Sequence, residues 1–431
     1  IIAVNLGLMA QDDTQPPRPR ATSAGTARMV VPDVARGLAL LGIAVANLPT
    51  AWLTPSAPHS EFLGSVNTVW DQILAVLTTL FAHNRGLPLF TTMLGFGVGL
   101  IAMSLWRKQF PASRARAVLL RRYFFLAVFG AVHLLLLFYG DIMFYYGLSG
   151  MLIAALLTMR DKILAIISYS LLGIVLVAGL SYLIWALIAM PDMANTLGGA
   201  VGNTELHSIG EFLAFNGLYF LMNLAGYPGY VIMYVPIMLI GFTWARRGVL
   251  ADVRAHRKEL WAWAIVGGLI ILGIGLPWGR SVIGVLPEAL AGNFVIANSM
   301  LGTLTGPALL AMVALALQPI PDRVNQCHTP PVWLQVPIAL GKRSMSGYVF
   351  QSIAFIIICY PFAFAYAPES VTAQTALAFG VWAMSLLLAW VLEKANKRGP
   401  FEAVHRRLSY GPTMQPELYS AKQRRELEAS E

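Results

Sequence analysis

The chain has 431 residues, 57% of them hydrophobic and only 12% charged, with a mean hydropathy of +0.65. A soluble domain carries about 25% charged residues, so this composition excludes a soluble fold, a disordered chain, a coiled coil and a collagen. The formal charge of +9 is therefore read first as membrane topology, not as a nucleic-acid footprint.

In chain order, Ile1–Leu8 is apolar but too short to span, and it lacks the basic flank of a signal peptide. Met9 reads as the start of translation, followed by a polar leader to residue 28. Apolar runs then predict ten spans near 34–53, 87–106, 118–138, 142–159, 163–190, 227–245, 260–279, 293–317, 344–366 and 372–392. Val69–Ala82 contains Asp71 and Gln72. At 1.5 Å per residue it covers roughly 21 Å, short of the ~30 Å hydrocarbon core, so it reads as a re-entrant or interfacial helix. With the N-terminus inside, all but Arg85 and Arg280 of the 30 Lys and Arg residues fall on the inner side, as the positive-inside rule requires. The predicted class is an all-α, polytopic membrane protein with both termini cytoplasmic. Residues 1–28 form the leader, 29–393 the transmembrane helical domain and 394–431 a basic cytoplasmic tail. The outer loop 191–226 is long enough for a lid, and its segment 210–223 is expected to lie in the membrane interface.

Little in the sequence suggests a metal or nucleotide. Cys327 and Cys359 form no CxxC, the histidines make no HExxH or i, i+4 pair, and there is no Walker loop or dinucleotide fingerprint. None of the nine predicted spans from 87 onward carries Asp or Glu, which weakens a proton- or sodium-coupled carrier. His133 is the ionisable residue deep in these spans. Asp141 follows eight residues later at the outer mouth, roughly 12 Å away if the helix continues. His133 is either a general base for an acceptor hydroxyl or amine or a neutral link to a neighbouring helix. Asp33 and Arg36, at i, i+3, either anchor the first span or receive a phosphate or carboxylate on the inner side. Asn47 lies 11 residues beyond Arg36, and His59 follows in the outer loop. A histidine base beside an amide that holds an oxyanion would suit acyl transfer; His59 also reads as an ordinary loop residue. His83 and Arg85 either line the outer mouth or cap the short helix.

Several ordered stretches carry a resemblance. They are Asp33-Val-Ala-Arg36-Gly37 with Asn47; Pro88-Leu-Phe90 through Phe96-Gly97; His133 with Tyr139-Gly140-Asp141; Tyr146-Gly147-Leu-Ser-Gly150; Gly341-Lys342-Arg343 through Tyr348 to Gln351; and Arg398-Gly399-Pro400-Phe401-Glu402 to Arg406. Together they resemble the YeiB-type (DUF418) family of bacterial membrane proteins. Pro32, Lys342, Gly347 and His405 depart from its usual leucine, arginine, asparagine and tryptophan. The first helix is also similar to that of the transmembrane acyltransferases, including the heparan-α-glucosaminide N-acetyltransferase group. In that group an asparagine precedes a catalytic histidine by 11 residues. Asn47 matches the asparagine, but residue 58 is proline and His59 comes one position late.

The resemblance implies a multi-pass protein of the bacterial inner membrane. The expected function is transfer of an acyl group from a cytoplasmic acyl-CoA to an outward-facing glycan, lipid or small molecule. His133, Asn47, His59 and Asp141 would serve the chemistry, while Asp33, Arg36, His83, Arg85, Arg343, Tyr348 and Gln351 would bind substrate. No tightly bound cofactor is expected, with acyl-CoA as co-substrate. The expected partners are membrane lipids, the acyl donor and the envelope acceptor, without nucleic acid, and a homodimer is compatible with this reading. A transporter or exporter using the same cavity, and a non-catalytic scaffold, are the alternatives.

Overall fold

The computed structural model describes residues 29–53, 63–191, 206–318 and 330–417. His59 and Cys327 lie outside them, as do the leader and the end of the tail. The described chain is helical, with one isolated bridge between Ser65 and Ser370. In order the helices are α1 (Val30–Asn47), α2 (Val69–Phe81), α3 (Gly86–Arg107), α4 (Ala112–Leu136), α5 (Met143–Ala155), α6 (Asp161–Ala189), α7 (Ile209–Arg247), α8 (Arg257–Ile270), α9 (Leu276–Val282), α10 (Leu290–Leu301), α11 (Thr305–Leu317), α12 (Val332–Lys342), α13 (Ser344–Cys359), α14 (Val371–Lys394) and α15 (Pro400–Tyr410). Among the described residues, eight helical stretches are long and apolar enough to cross a bilayer, and α5 and α13 are shorter apolar helices beside them. This is an all-α polytopic membrane protein.

Lipid decides the secondary structure here: backbone groups with no water nearby must bond within their own segment, and a helix does that. Packing then sorts the helices. α1, α3 and α10–α11 bury most of their surface, whereas α6 and α14 present apolar residues such as Ile174, Val177, Leu387 and Val391 outward. α3 and α7 meet backbone to backbone, and a Cβ on Gly95 would overlap the Met238 carbonyl. Small residues permit that approach in membrane helices.

The predicted short helix is α2. Thr68 and Asp71 cap it reciprocally. Asp71 Oδ1 also accepts from the Thr372 amide (2.9 Å) and hydroxyl (2.6 Å), tying α2 to the start of α14. Asn84, at φ 55°, turns the chain into α3.

Two elements depart from the sequence reading. Segment 210–223 is not a separate interfacial piece but the first part of α7, which runs 39 residues without a break. A Ser208–Glu211 capping box starts it, and Pro228 and Pro236 lie inside it. Each proline removes one hydrogen bond to the carbonyl four residues back, a loss that membrane helices tolerate; separately, the Ser168 hydroxyl donates to the Pro236 carbonyl at 2.7 Å and ties α6 to α7. The second departure is α12, which was not anticipated because it is short and contains Pro337. It packs along α1, and a Cβ on Gly341 would overlap the Asp33 carbonyl.

Candidate functional site

The chain around His133 does not continue as a helix to Asp141. α4 stops at Leu136, and the amides of Leu137 and Phe138 both turn back to the His133 carbonyl (2.8 and 2.9 Å). The next residues fold over the helix end, so Asp141 Oδ1 comes to 2.8 Å from His133 Nδ1. The ~12 Å separation expected for a straight helix is overturned by this early stop. α5 can approach closely because a Cβ on Gly130 would overlap the Phe144 backbone. Asp141 Oδ2 in turn accepts the Phe144 amide at 2.7 Å, placing a carboxylate at the α5 N-terminus, where the helix dipole favours it.

The other ring nitrogen meets a residue that the sequence reading missed. His133 Nε2 lies 3.0 Å from Ser352 Oγ, on α13 and 219 positions away in the chain. Ser352 shares its helix face with Tyr348, whose ring centroid is 5.0 Å from that of His133. His133, Asp141 and Ser352 are 3%, 2% and 2% exposed. Trp52 stacks on Phe138 at 4.5 Å and sits 5.7 Å from Phe355, walling the cluster with aromatic rings. Asp141 Oδ1 lies close to Nδ1 but outside hydrogen-bond geometry; with the carboxylate on that side, a neutral His133 carries its proton on Nδ1 and turns the Nε2 lone pair toward the serine. This tautomer is assigned from the partners. Hydroxyl, imidazole and carboxylate in series can take a proton from an oxygen and return it. A lone serine in an apolar helix gives no signal in sequence; only the contact across the fold marks it.

Of the predicted site residues, the structure gathers His133, Asp141 and Tyr348. Gln351, beside Ser352, is buried and donates to Ser385 Oγ at 3.4 Å, while its Oε1 has no hydrogen-bond partner among the described residues. Asn47 ends α1 and makes no hydrogen bond to His133 among the described residues. His83 and Arg85 belong to the α2–α3 turn: His83 meets Trp278 edge-on, and Arg85 donates to Asn298 Oδ1 at 2.7 Å and to the Leu80 carbonyl at 3.0 Å. Arg36 reaches Asp33 at 3.4 Å, with its side chain 23% exposed. Near the start of α8 a surface hollow of about 730 Å³ is lined by Arg254, Arg257, Lys258 and Trp261.

Arg343 sits in a second polar cluster, at the other end of α4 and α13. It donates to Glu393 at 2.6 Å and to the carbonyls of Ala339 and Lys397, and Lys342 holds the other Glu393 oxygen. Glu402 of α15 accepts the Met345 and Ser346 amides (2.8 and 3.0 Å) and the Ser346 hydroxyl, capping α13. His405 Nε2 bonds the Arg122 carbonyl at 2.9 Å. Burial and the nearby Arg122 guanidinium lower the His405 pKa from 6.5 to about 4, outweighing that bond. α15 thus clamps the two helices that carry His133 and Ser352.

Comparison with known proteins gives a consistent placement. Residues 244–412 match the family model described as "Protein of unknown function (DUF418)". The chain is 23% identical over 406 residues to the uncharacterized protein YxaH of Bacillus subtilis (strain 168), covering 89% of this chain and 94% of that protein. The matched region contains α13, α14 and α15, and so Ser352 and the clamp. Its C-terminal region is therefore similar to the DUF418 family over residues 244–412.

Proposed function

We propose that this membrane protein transfers an acyl group from a cytoplasmic acyl-CoA to a hydroxyl or amine of an outward-facing acceptor, with His133 as the base. One observation carries the reading: a buried imidazole held between a carboxylate at 2.8 Å and a hydroxyl at 3.0 Å. A purely structural histidine needs hydrogen bonds but no such polarity along the series. Here the nearby carboxylate favours the proton on Nδ1 and would stabilise the imidazolium that proton transfer creates. Arg36 and the basic hollow at α8 offer cations for the donor's phosphates, on the side where the charge distribution puts the cytoplasm. Asn47, His83 and Arg85 remain candidates for handling the acceptor, with His59 as the rival base.

The test uses the full chain in proteoliposomes with a panel of acyl-CoAs and bacterial envelope extracts as acceptor, and follows free thiol release together with acylated product. His133→Gln keeps polarity and approximate volume but cannot take the proton, so turnover should fall about 10²–10⁴-fold. The amount of folded mutant and of a His133→Phe packing control is measured in parallel. Wild-type turnover in His133→Gln would sink the base assignment. Passage of an unmodified molecule across the vesicle, with no thiol released, would turn the reading to a carrier.

A further inference from the structure

We infer that Ser352 is a covalent nucleophile, so that the acyl group rests on the protein between donor and acceptor. The inference rests on the acyl-transfer reading and adds to it a residue and an intermediate. A direct transfer needs only a base facing the acceptor. In this protein the Nε2 atom of that base is occupied by a side-chain hydroxyl of the protein's own, in a cluster almost closed to solvent.

Proton accounting favours an activated serine over a structural one. Ser352 has one hydroxyl proton and two acceptors within reach: His133 Nε2 at 3.0 Å and the Tyr348 carbonyl at 3.3 Å, one helical turn back. Serines in helices commonly settle for that backbone acceptor. Here the shorter contact is to the imidazole. Asp141 Oδ1 lies 2.8 Å from Nδ1 while Oδ2 accepts the Phe144 amide; a carboxylate on the Nδ1 side favours the proton there and leaves Nε2 as the basic atom of the series. A nucleophile bonded to a base, with the base oriented by a third group, is the arrangement that activates a hydroxyl otherwise too weakly acidic to attack.

The steps balance with an acyl thioester as donor. Ser352 Oγ attacks the thioester carbonyl carbon while its proton passes to His133 Nε2. The C–S bond breaks, and the departing thiolate takes the proton from Nε2. This leaves a serine ester and a free thiol. An acceptor hydroxyl or amine then gives its proton to Nε2 and attacks the ester carbonyl; Ser352 Oγ leaves and recovers that proton. Thioester and acceptor are consumed, and thiol and acylated acceptor are formed. The aromatic wall of Trp52, Phe138 and Phe355 keeps water from competing at the ester stage. A stored acyl group also lets donor and acceptor visit the site in turn, without sharing it.

A fluorophosphonate tests the nucleophile without knowledge of the natural donor, because it phosphonylates activated serines. The full chain in detergent should take up the probe on the peptide containing Ser352, as read by mass spectrometry. Ser352→Ala should not be labelled there, and His133→Gln should be labelled about 10²–10⁴-fold more slowly. Folded wild-type protein left unlabelled at Ser352, or labelled equally fast in His133→Gln, would overturn the inference. Ser352→Cys covers poor folding of the alanine variant: it should instead be alkylated by iodoacetamide in a His133-dependent manner, and alkylation independent of His133 counts against the inference. Thiol release separates the two claims. If Ser352→Ala turns over like wild type while His133→Gln does not, the nucleophile is wrong and direct transfer stands. If His133→Gln also turns over normally, the base assignment falls with the nucleophile; no thiol release from the wild type would bring down the acyl-transfer reading itself.

Discussion

The same two helices, α4 and α13, are joined by polar groups at two places, and the two joints are built in opposite ways. At the His133 end, three side chains meet in series, with one backbone amide at the far end. At the α15 end, Arg343, Lys342, Glu393, Glu402 and His405 form parallel contacts, several of them to backbone carbonyls and amides. A series link has no substitute for any member, whereas a parallel one shares its load. The difference teaches where single substitutions should matter, and it separates a link built to move a proton from one built to hold helices together.

The contrast breaks most visibly at Asp141. Asp141→Ala removes the carboxylate 2.8 Å from His133 Nδ1 and leaves the buried Phe144 amide without its acceptor. A buried polar group left unsatisfied costs about 1–3 kcal/mol and two groups lose their partner here, so the variant should show a large drop in apparent Tm in detergent. Asp141→Asn, which keeps an acceptor for Phe144, should recover much of that stability but not turnover. Equal stability of Asp141→Ala and wild type would show the series link to be dispensable.

At the other joint, His405 supplies the next largest effect, and it depends on pH. Its folded pKa of about 4 lies below the ordinary 6.5, so between those values the unfolded chain binds a proton that the folded chain does not. Stability therefore falls as pH drops from 6.5 toward 4 and levels off below. At 1.36 kcal/mol per pKa unit this is on the order of 3 kcal/mol. The difference in apparent Tm between wild type and His405→Gln should shrink across that window. A difference that stays constant from pH 7.5 to 4.5 would place the His405 contact outside the folding equilibrium.

The smallest effect sharpens the comparison. Lys342 and Glu393 are part-exposed, with side chains 27% and 35% accessible, and Arg343 keeps Glu393 paired when Lys342 is lost. Lys342→Ala should cost less than about 1 kcal/mol. A drop comparable to that of Asp141→Ala would mean that this joint is not redundant.

The helices were legible in the sequence wherever a long apolar run met the demand of lipid for internal hydrogen bonding. Gly226-Tyr-Pro228-Gly229 reads as a break in water, yet α7 continues through it. α12 was hidden by its length and by Pro337. His133 and Asp141 were visible as candidates, but their contact was not, because their spacing was measured along a helix that ends at Leu136. Ser352 was invisible: nothing local distinguishes it, and its chemistry exists only once α13 lies against α4. Arg343 stood out by charge and by resemblance, and the fold binds it into the α15 clamp.

The 39-residue helix α7 has a consequence for the membrane itself. At 1.5 Å per residue it is about 58 Å long, nearly twice the thickness of a ~30 Å hydrocarbon core. Its open side is apolar well before the second proline, with Leu213, Leu218, Leu221, Met222, Leu224 and Ile232 all outward. That stripe, from Leu213 to Ile232, rises about 30 Å at 1.5 Å per residue and so matches one hydrocarbon core in length, while the positions from Val235 to Ala245 are buried in the bundle. A thinner or thicker bilayer would mismatch it at a fraction of a kcal/mol per ångström. The thickness of the host membrane thus becomes one of the forces acting on the bundle.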